Sequence, residues 1–293
     1  MPELPEVETT RRGIATLMPQ NTLRQCIVYQ HSMRWPIPLT MAEKLQNKTV
    51  LACERRGKYL LIRFEHGYQI IHLGMSGSLR RVPFDAPRLK HDHVEWVFDH
   101  ARFMLNDPRR FGAVLWHDHN DGPILKHRLL VNLGIEPFSP EFTPCHLFLQ
   151  VANKKSSIKS VLLSGKAVVG VGNIYASESL FKAAIDPTAP ANSLQKIQIE
   201  NLHAAIVETL QQALDSGGST LRDYLNASGE AGAYFDLYAQ VYGKAGQPCP
   251  RCATAIERIV QNQRATYFCP ECQHTAGLNK PALVSTGKNQ RLP

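Results

Sequence analysis

The stretch Cys249-Pro250-Arg251-Cys252 is followed, after 16 residues, by Cys269-Pro270-Glu271-Cys272. Two CxxC knuckles at this separation offer four thiolates to one tetrahedral zinc ion and leave no open coordination position, which is typical of a structural site. A pair of redox-active CxxC sites is the alternative, but no βαβ pattern of a redox fold surrounds them. The spacing therefore predicts a zinc ribbon, with residues 266–268 in the second strand of its hairpin.

Upstream of the ribbon, the first third of the chain has the patterning of antiparallel strands. Strand-like runs flank the short turns His66-Gly67 and Asp99-His100, which predicts two hairpins. The predicted strands are residues 59–64, 68–73, 94–98, 102–105 and 113–116. A leading helix is predicted over residues 5–18, because Pro5 suits a first helical turn and Glu6 and Glu8 favour its positive end.

The middle of the chain is helical. Pro137, Pro140 and Pro144 indicate a linker, because proline continues neither a helix nor a central strand. Beyond it, Asn173 is expected to cap a helix that ends before Pro187. A longer helix is predicted over residues 194–214, closed by Gly217-Gly218. Residues 226–233 have the composition of a mobile loop, and residues 277–293 contain no acidic residue and predict a disordered basic tail.

These patterns predict an α+β chain of three domains and a tail. The expected parts are an N-terminal antiparallel β-sandwich with a leading helix over residues 1–136, a helical domain over 137–240, the ribbon over 241–275 and the tail over 276–293.

The net charge of +8 is unevenly spread along these parts. Residues 1–136 carry +5, residues 137–240 carry −2 and residues 241–293 carry +5. Two basic ends predict one polyanionic partner held between them. No apolar run is long enough for a membrane helix, and the acidic start is unlike a secretory signal. We therefore expect no membrane partner and a cytoplasmic protein, in which the isolated Cys26, Cys53 and Cys145 are reduced core or surface thiols.

The N-terminus has a chemical feature of its own. Pro2 is small enough for the preceding Met1 to be removed, which leaves a free secondary amine. An α-amino group is unprotonated in about a tenth of molecules at pH 7, far more often than a lysine, so it can attack carbon. Glu3 and Glu6 add a carboxylate pair suited to proton transfer. The alternative is that Pro2 and Pro5 only start a helix.

The opening Met1-Pro2-Glu3-Leu4-Pro5-Glu6-Val7-Glu8 resembles that of bacterial formamidopyrimidine-DNA glycosylases. The resemblance runs in the family's order from residue 1 to about residue 273, so that only the tail falls outside it. Its further blocks are residues 57–61 (GKYLL), 72–77 (HLGMSG), 106–112 (NDPRRFG), 169–176 (VGVGNIYA) and 263–266 (QRAT), together with the ribbon cysteines.

The resemblance implies a bifunctional DNA glycosylase and AP lyase whose catalytic domain is the β-sandwich. Pro2 would attack C1′ of the damaged nucleotide, with Glu3 as general acid and base and Glu6 supporting the amine. Lys58 would assist β-elimination and Arg264 δ-elimination. An imine to the sugar acidifies the C2′ proton, which is why an amine nucleophile also cleaves the strand.

The resemblance also implies how double-stranded DNA with damaged bases is held. A base inside a duplex must be rotated out of the stack, and Met75, Phe111 and Arg109 would fill the space, with Arg109 donating to the orphaned cytosine. The remaining implied phosphate contacts, besides Arg109, are His91, Lys154 and Asn173. Residues 170–173 precede a helix, so their N–H groups could meet a phosphate. In the family this segment belongs to a helix–two-turn–helix motif, which we prefer to a dinucleotide fingerprint because no βαβ repeat surrounds it.

Two other functions remain as alternatives. An endonuclease VIII-like enzyme for oxidised pyrimidines shares the proline, the helix–two-turn–helix motif and the ribbon, but the Leu4-Pro5-Glu6-Val7 opening and the Met75, Arg109 and Phe111 set look like the purine enzyme. A non-catalytic zinc-ribbon DNA-binding protein would have no need of Pro2, Glu3 and Lys58. We expect a monomer with one structural zinc and no nucleotide cofactor that excises 8-oxoguanine and formamidopyrimidines, most readily opposite cytosine.

Overall fold

The computed structural model describes residues 2–219 and 232–274. It has the predicted architecture: a β-sandwich with a leading helix, a helical domain and a small ribbon. Most of the expected loop (residues 226–231) and the predicted tail (residues 276–293) lie outside the described residues. Within the described ranges, no helix combines the length and the apolar character needed to cross a membrane.

The N-terminal domain consists of two antiparallel sheets that pack face to face. Its strands are β1 Thr22–Leu23, β2 Gln25–Val28, β3 Lys48–Arg56, β4 Tyr59–Phe64, β5 Gly67–His72, β6 Ser78–Val82, β7 Asp92–Val97, β8 Arg102–Asn106 and β9 Ala113–Asp118. One sheet has the order β1-β3-β4-β5-β9 and the other β2-β7-β8-β6. The predicted hairpins β4–β5 and β7–β8 and the strand β9 are confirmed.

The leading helix and the inner faces of the two sheets form one of the two large hydrophobic cores, and the helical domain contains the other. Helix α1 spans Leu4–Ala15 and buries Leu4, Val7 and Ile14. A buried hydrogen bond joins the sheets, in which Trp96 Nε1 on β7 donates to Gln69 Oε1 on β5 at 2.9 Å. A buried indole N–H needs such a partner, so this pair fixes how the two sheets face each other.

The remaining helices are α2 Met41–Leu45, α3 Pro144–Val151, α4 Ile158–Leu163, α5 Asn173–Lys182, α6 Lys196–Asp215 and α7 Tyr234–Tyr238. Pro144, which we expected in a linker, is the first residue of α3, because the first turn of a helix needs no N–H from that position and Thr143 caps it. Asn173 is not the cap of α5 as expected: Gly172 is the N-cap, and Asn173 is the first helical residue. Helix α6 confirms the longer predicted helix.

The ribbon is a hairpin of β10 Glu257–Gln261 and β11 Arg264–Phe268. Asn262 and Gln263 form its two-residue turn with φ of 48° and 62°, as the type I′ geometry of such hairpins requires. Asn262 donates its side-chain N–H to Ser160 Oγ at 2.7 Å, against α4. The turn that presents Arg264 is therefore fixed to the helical domain.

Two carboxylates hold the domains together. Glu136 accepts from Arg55, Arg56 and the backbone N–H of Gly57 at 2.7–2.8 Å, next to the turn before β4. Glu178 on α5 is buried and accepts the backbone N–H groups of residues 240, 241 and 242 at 2.8–3.0 Å, where the chain leaves the helical domain for the ribbon. Burial raises the pKa of Glu178, and the three backbone donors oppose that shift.

We predict that Glu178→Ala lowers the free energy of unfolding of the helical domain and ribbon by about 3 kcal/mol, because it leaves three N–H groups without an acceptor. Glu208→Ala is the matched control in the same domain. Glu208 is 56% exposed in its pair with Lys182, so its loss should cost less than about 1 kcal/mol. Urea unfolding followed by circular dichroism measures both variants, and equal destabilisation would contradict the role given to Glu178.

Candidate active site between the sandwich and the helical domain

The carboxylate of Glu3 spans the boundary between the two large domains. It accepts the backbone N–H of Gly172 at 2.6 Å and that of Ile174 at 2.9 Å, at the positive end of α5. A side chain at position 172 would collide with it, since a Cβ there would lie 2.1–2.5 Å from the Glu3 carboxyl atoms. The N–H of Gly172, one of those that we expected to meet a phosphate, is therefore occupied by Glu3.

Glu6 lies close to Glu3 and is fully enclosed. It accepts the backbone N–H of Glu3 at 2.7 Å, the hydroxyl of Tyr175 at 2.5 Å and the backbone N–H of Ser219 at 2.7 Å. Burial and the neighbouring charge of Glu3 raise the pKa of Glu6, while these donors lower it. Through Glu6, residues next to Pro2 are joined both to Tyr175 on α5 and to Ser219, which follows α6.

Two lysine ammonium groups lie near this carboxylate pair, and the Glu3 charge acts on both of them. Lys58 follows Gly57 in the turn between β3 and β4, and burial lowers its pKa while the charges of Glu3 and Glu6 oppose that shift. Lys159 on α4 is wholly buried and donates to Ala265 O at 3.1 Å and Thr266 Oγ1 at 2.8 Å. Burial lowers the pKa of Lys159 to about 7. Lys159 was not among the residues singled out from the sequence.

A cleft of about 640 Å³, here called the central cleft, opens beside these groups. It is lined by Ser32, Met33, Arg34, His72, Gly74, Met75, Arg109, Arg110, Phe111 and Arg264. Four of the residues predicted for DNA contact or catalysis therefore share one surface, although they come from the sandwich and the ribbon. Met75 is 42% and Phe111 44% exposed, so both apolar side chains are accessible to a partner that enters the cleft.

The two turns that carry the exposed side chains of the cleft are tied to each other. Asp107 is buried and accepts the hydroxyl of Ser76 at 2.9 Å and the backbone N–H of Gly112 at 2.8 Å. Gly74 has a φ of +66°, and a Cβ there would lie 2.4 Å from Gly112 N. The turn with Met75 and the turn with Phe111 therefore keep a fixed position relative to each other.

His72 was missed as a site residue, although it begins one of the quoted blocks. Burial, with the nearby charges of Lys58 and Arg34, lowers its pKa to about 4. Its Nδ1 accepts the backbone N–H of Gly74 at 3.1 Å, so the neutral ring carries its proton on Nε2. The imidazole is a fixed hydrogen-bond donor in a cleft of positive charges.

Three residues that were predicted to contact DNA do not line the central cleft. His91 stands just before β7, and Lys154 is exposed in the turn after α3. Asn173 donates to Tyr242 Oη at 3.2 Å and Ala265 O at 2.9 Å, and its buried Oδ1 has no hydrogen-bond partner within residues 2–219 and 232–274. Their assignment to phosphates stays a prediction.

The four ribbon cysteines form one cluster that fits a zinc ion. Their sulfur atoms all lie within 4.8 Å of one another. Cys249 and Cys272 are 3.8 Å apart and Cys252 and Cys269 3.4 Å, close to the separation of about 3.8 Å that a tetrahedron with Zn–S bonds of about 2.3 Å requires. The chain thus holds one structural zinc, and Phe181, Val241 and Ile256 pack beside it.

We predict that Cys269→Ser releases the zinc and unfolds the ribbon, because a fold this small gains most of its stability from the metal. Elemental analysis should fall from one zinc per chain to near none, and Arg264 should become accessible to proteolysis. Cys145→Ser, at an exposed cysteine outside the cluster, is the matched control and should keep the metal. Full zinc content in Cys269→Ser would contradict the four-cysteine assignment.

Three successive parts of the chain match domains that occur in the same protein family. Residues 1–114 match the formamidopyrimidine-DNA glycosylase N-terminal domain, residues 133–224 its H2TH domain and residues 246–275 the zinc finger found in FPG and IleRS. A formamidopyrimidine-DNA glycosylase of Bordetella pertussis is 62% identical over 93% of this chain and 99% of its own length. One of Burkholderia lata is 51% identical over 93% of this chain and its full length.

Solved structures give the same result. The MutM (Fpg) protein of Thermus thermophilus has a TM-score of 0.83 at 36% identity and covers 93% of this chain and 98% of its own. Lactococcus lactis Fpg in complex with DNA containing an abasic site has a TM-score of 0.85 at 35% identity, over 93% of this chain and all of its own. The matched domains, their order and these identities show that the chain belongs to the formamidopyrimidine-DNA glycosylase family.

Proposed function

We propose that the mature N-terminal proline carries the chemistry of this chain, which is a bifunctional DNA glycosylase and AP lyase that removes oxidised purines in base excision repair. The observation that supports the role of the proline most is the position of Glu3. Its carboxylate is fixed on the end of α5, one residue from Pro2, and lies near enough to Lys58 for its charge to act on the ammonium.

Pro2 is the nucleophile of the proposal. While Met1 is attached, the Pro2 nitrogen is an amide, so removal of Met1 must come first. The free amine donates its electron pair to C1′ of the damaged nucleotide, the glycosidic bond breaks, and the base leaves with a proton. The amine loses its proton, and the C1′–O4′ bond of the sugar ring then breaks as O4′ takes up a proton, which converts the product into an open-chain iminium. The iminium withdraws electrons from C2′, so that loss of a C2′ proton expels the 3′ phosphate, and loss of the C4′ proton in a second elimination expels the 5′ phosphate.

Glu3 is the proposed general acid and base for the first of these steps. Two backbone N–H groups hold its carboxylate one residue from Pro2, which supports a role in moving protons between the amine, the sugar and the departing base. Glu6 accepts the backbone N–H of Glu3 and acts as a support for the amine end. We assign Lys58 to the β-elimination and Arg264 to the δ-elimination, because a cation beside a departing phosphate oxygen stabilises the negative charge that develops on it.

We propose that the side chains of Met75, Phe111 and Arg109 fill the space that the rotated nucleotide leaves in the duplex. Their turns are held together by Asp107 and their side chains line the central cleft. The guanidinium of Arg109 stacks on the Phe111 ring at 4.8 Å, which leaves its N–H edge open to donate to an unpaired cytosine. His91, Lys154, Asn173 and Arg109 are the proposed phosphate contacts.

The proposed partner is double-stranded DNA that contains a damaged base, bound by a monomer. Solved complexes of Lactococcus lactis Fpg contain DNA with Fapy-dG, an abasic site or an oxidised pyrimidine. We propose boundaries near residues 136, 240 and 275 for the three domains of this chain. Because the substrate is DNA, a cytoplasmic location follows from the same proposal.

We predict that borohydride traps a covalent adduct between the mature chain and a duplex with 8-oxoguanine opposite cytosine, without added cofactor. The matched control is the same chain with a removable peptide ahead of Pro2. It should give no adduct until the peptide is cleaved at the bond before Pro2, because the electron pair of an amide nitrogen is delocalised into the carbonyl. Gel mobility of labelled DNA measures the yield.

An adduct of equal yield from the blocked chain would contradict the role of Pro2. The same assay with thymine glycol in place of 8-oxoguanine tests the substrate class. A higher trapping rate with thymine glycol would move the assignment to an endonuclease VIII-like enzyme. DNA binding without any adduct from the mature chain would favour a non-catalytic DNA-binding protein.

We predict that Glu3→Gln slows excision of 8-oxoguanine by about 10²–10⁴-fold, the range that general acid–base catalysis supplies. Strand cleavage at a preformed abasic site should fall far less, because the base is already gone. Glu43→Gln, at an exposed position of α2, is the control that changes the same functional group. Single-turnover rates on the two substrates give the comparison, and equal losses on both would assign Glu3 a purely structural role.

A further inference from the structure

Two arginines stack on one indole at the edge of the central cleft. The guanidinium carbon of Arg34 lies 4.7 Å from the Trp35 ring centre, and that of Arg128 lies 5.5 Å from the same ring. Arg34 lies in the loop between β2 and α2, and Arg128 lies in the segment between β9 and the helical domain. We call Arg34, Trp35 and Arg128 the Trp35 platform.

Packing and backbone hydrogen bonds hold the three residues of the platform in place. Trp35 is half-buried and packs against a cluster that includes Leu61, Ile70 and Leu130. The backbone N–H of Arg34 donates to Gly112 O at 3.2 Å, and the backbone N–H of Leu130 donates to His127 O at 2.8 Å, which closes the turn that contains Arg128. Stacking on an indole costs a guanidinium little freedom and leaves its N–H edge open for a planar or tetrahedral anion.

The positive charges of the platform are unmatched. Among the described residues, neither guanidinium has a carboxylate partner or a hydrogen bond, and both residues are exposed. The exposed Arg24, in contrast, is paired with Asp99 at 2.7 Å. The Arg34 charge also contributes to the lowered pKa of His72, although burial is the larger cause. Two preorganised cations without a counter-charge form a site for an anion from outside the chain.

Arg34 belongs to the lining of the central cleft and Arg128 does not. The platform therefore extends the positive surface of the central cleft. It runs from the side that carries Met75, Arg109 and Phe111 towards the segment that leads to the helical domain. A ligand that fills the cleft and also reaches Arg128 must be an extended polyanion, which excludes a single free phosphate as the fitting ligand.

We propose that the Trp35 platform binds the phosphodiester backbone of duplex DNA outside the lesion, and that Arg128 adds a phosphate contact which none of the predicted site residues provides. This inference rests on the proposed function, because it takes DNA as the occupant of the cleft. Contacts of this kind carry affinity and register, and they read no base.

The test measures how binding depends on salt. The probe is a duplex with a tetrahydrofuran abasic-site analogue opposite cytosine, titrated with the full zinc-loaded chain at several NaCl concentrations. Each phosphate contact adds about 0.9 to the slope of log Kd against log salt. Arg34→Gln and Arg128→Gln should each lower that slope by about 0.9, and Arg128→Lys should restore most of it because the charge is kept.

Arg24→Gln is the matched control, because it removes one exposed arginine charge away from the cleft. Its slope should equal that of the unaltered chain. An unchanged slope in Arg128→Gln, or the same decrease in Arg24→Gln, would overturn the platform as a contact site. If the unaltered chain neither binds this duplex nor is trapped on 8-oxoguanine, the proposed function fails instead. Thermal unfolding and zinc content of each variant show that it is folded.

Discussion

The contact between the Glu3 carboxylate and the first turn of α5 is the constraint on which the rest of the site depends. It joins the third residue of the chain to backbone N–H groups at positions 172 and 174. A carboxylate suits this end of a helix because the unpaired N–H groups and the helix dipole both favour negative charge. The contact holds Glu3, the residue next to Pro2, against the helical domain, and Gly172 is required because any side chain there would fill the space of the carboxylate.

Around that contact, burial and charge give similar groups different properties. Glu3 and Glu6 are both buried, but Glu3 accepts backbone N–H groups at the end of α5, while burial and the neighbouring Glu3 charge raise the pKa of Glu6. Lys58 and Lys159 both have a lowered pKa, because each is desolvated near Arg264. The pKa of Lys159, lowered by burial to about 7, makes this lysine a second candidate amine beside the proposed proline nucleophile. The distance and direction of each amine from C1′ of the bound nucleotide therefore decide which amine attacks.

Features that depend on the spacing of residues along the chain could be predicted from the sequence. Features that depend on contacts between distant parts of the chain could not. The four cysteines, the hairpins at β4–β5 and β7–β8 and helix α6 follow from local pattern, and the structure confirms them. Strand β3 escaped prediction because it ends in charged residues, which pair with Glu136, 80 residues away in sequence from Arg56. The cap of α5 was misassigned to Asn173 because the true acceptor, Glu3, comes from the other end of the chain. Lys159 and His72 have no local signal, since only burial in the folded chain changes their chemistry.

In the proposed mechanism, the amine that attacks the sugar is that of Pro2 and not that of Lys58 or Lys159. Mass spectrometric mapping of the borohydride-reduced adduct after proteolysis distinguishes these amines. We expect the sugar remnant on the nitrogen of an N-terminal peptide that begins at Pro2. A remnant on the peptide with Lys58 or on the peptide with Lys159 would contradict it.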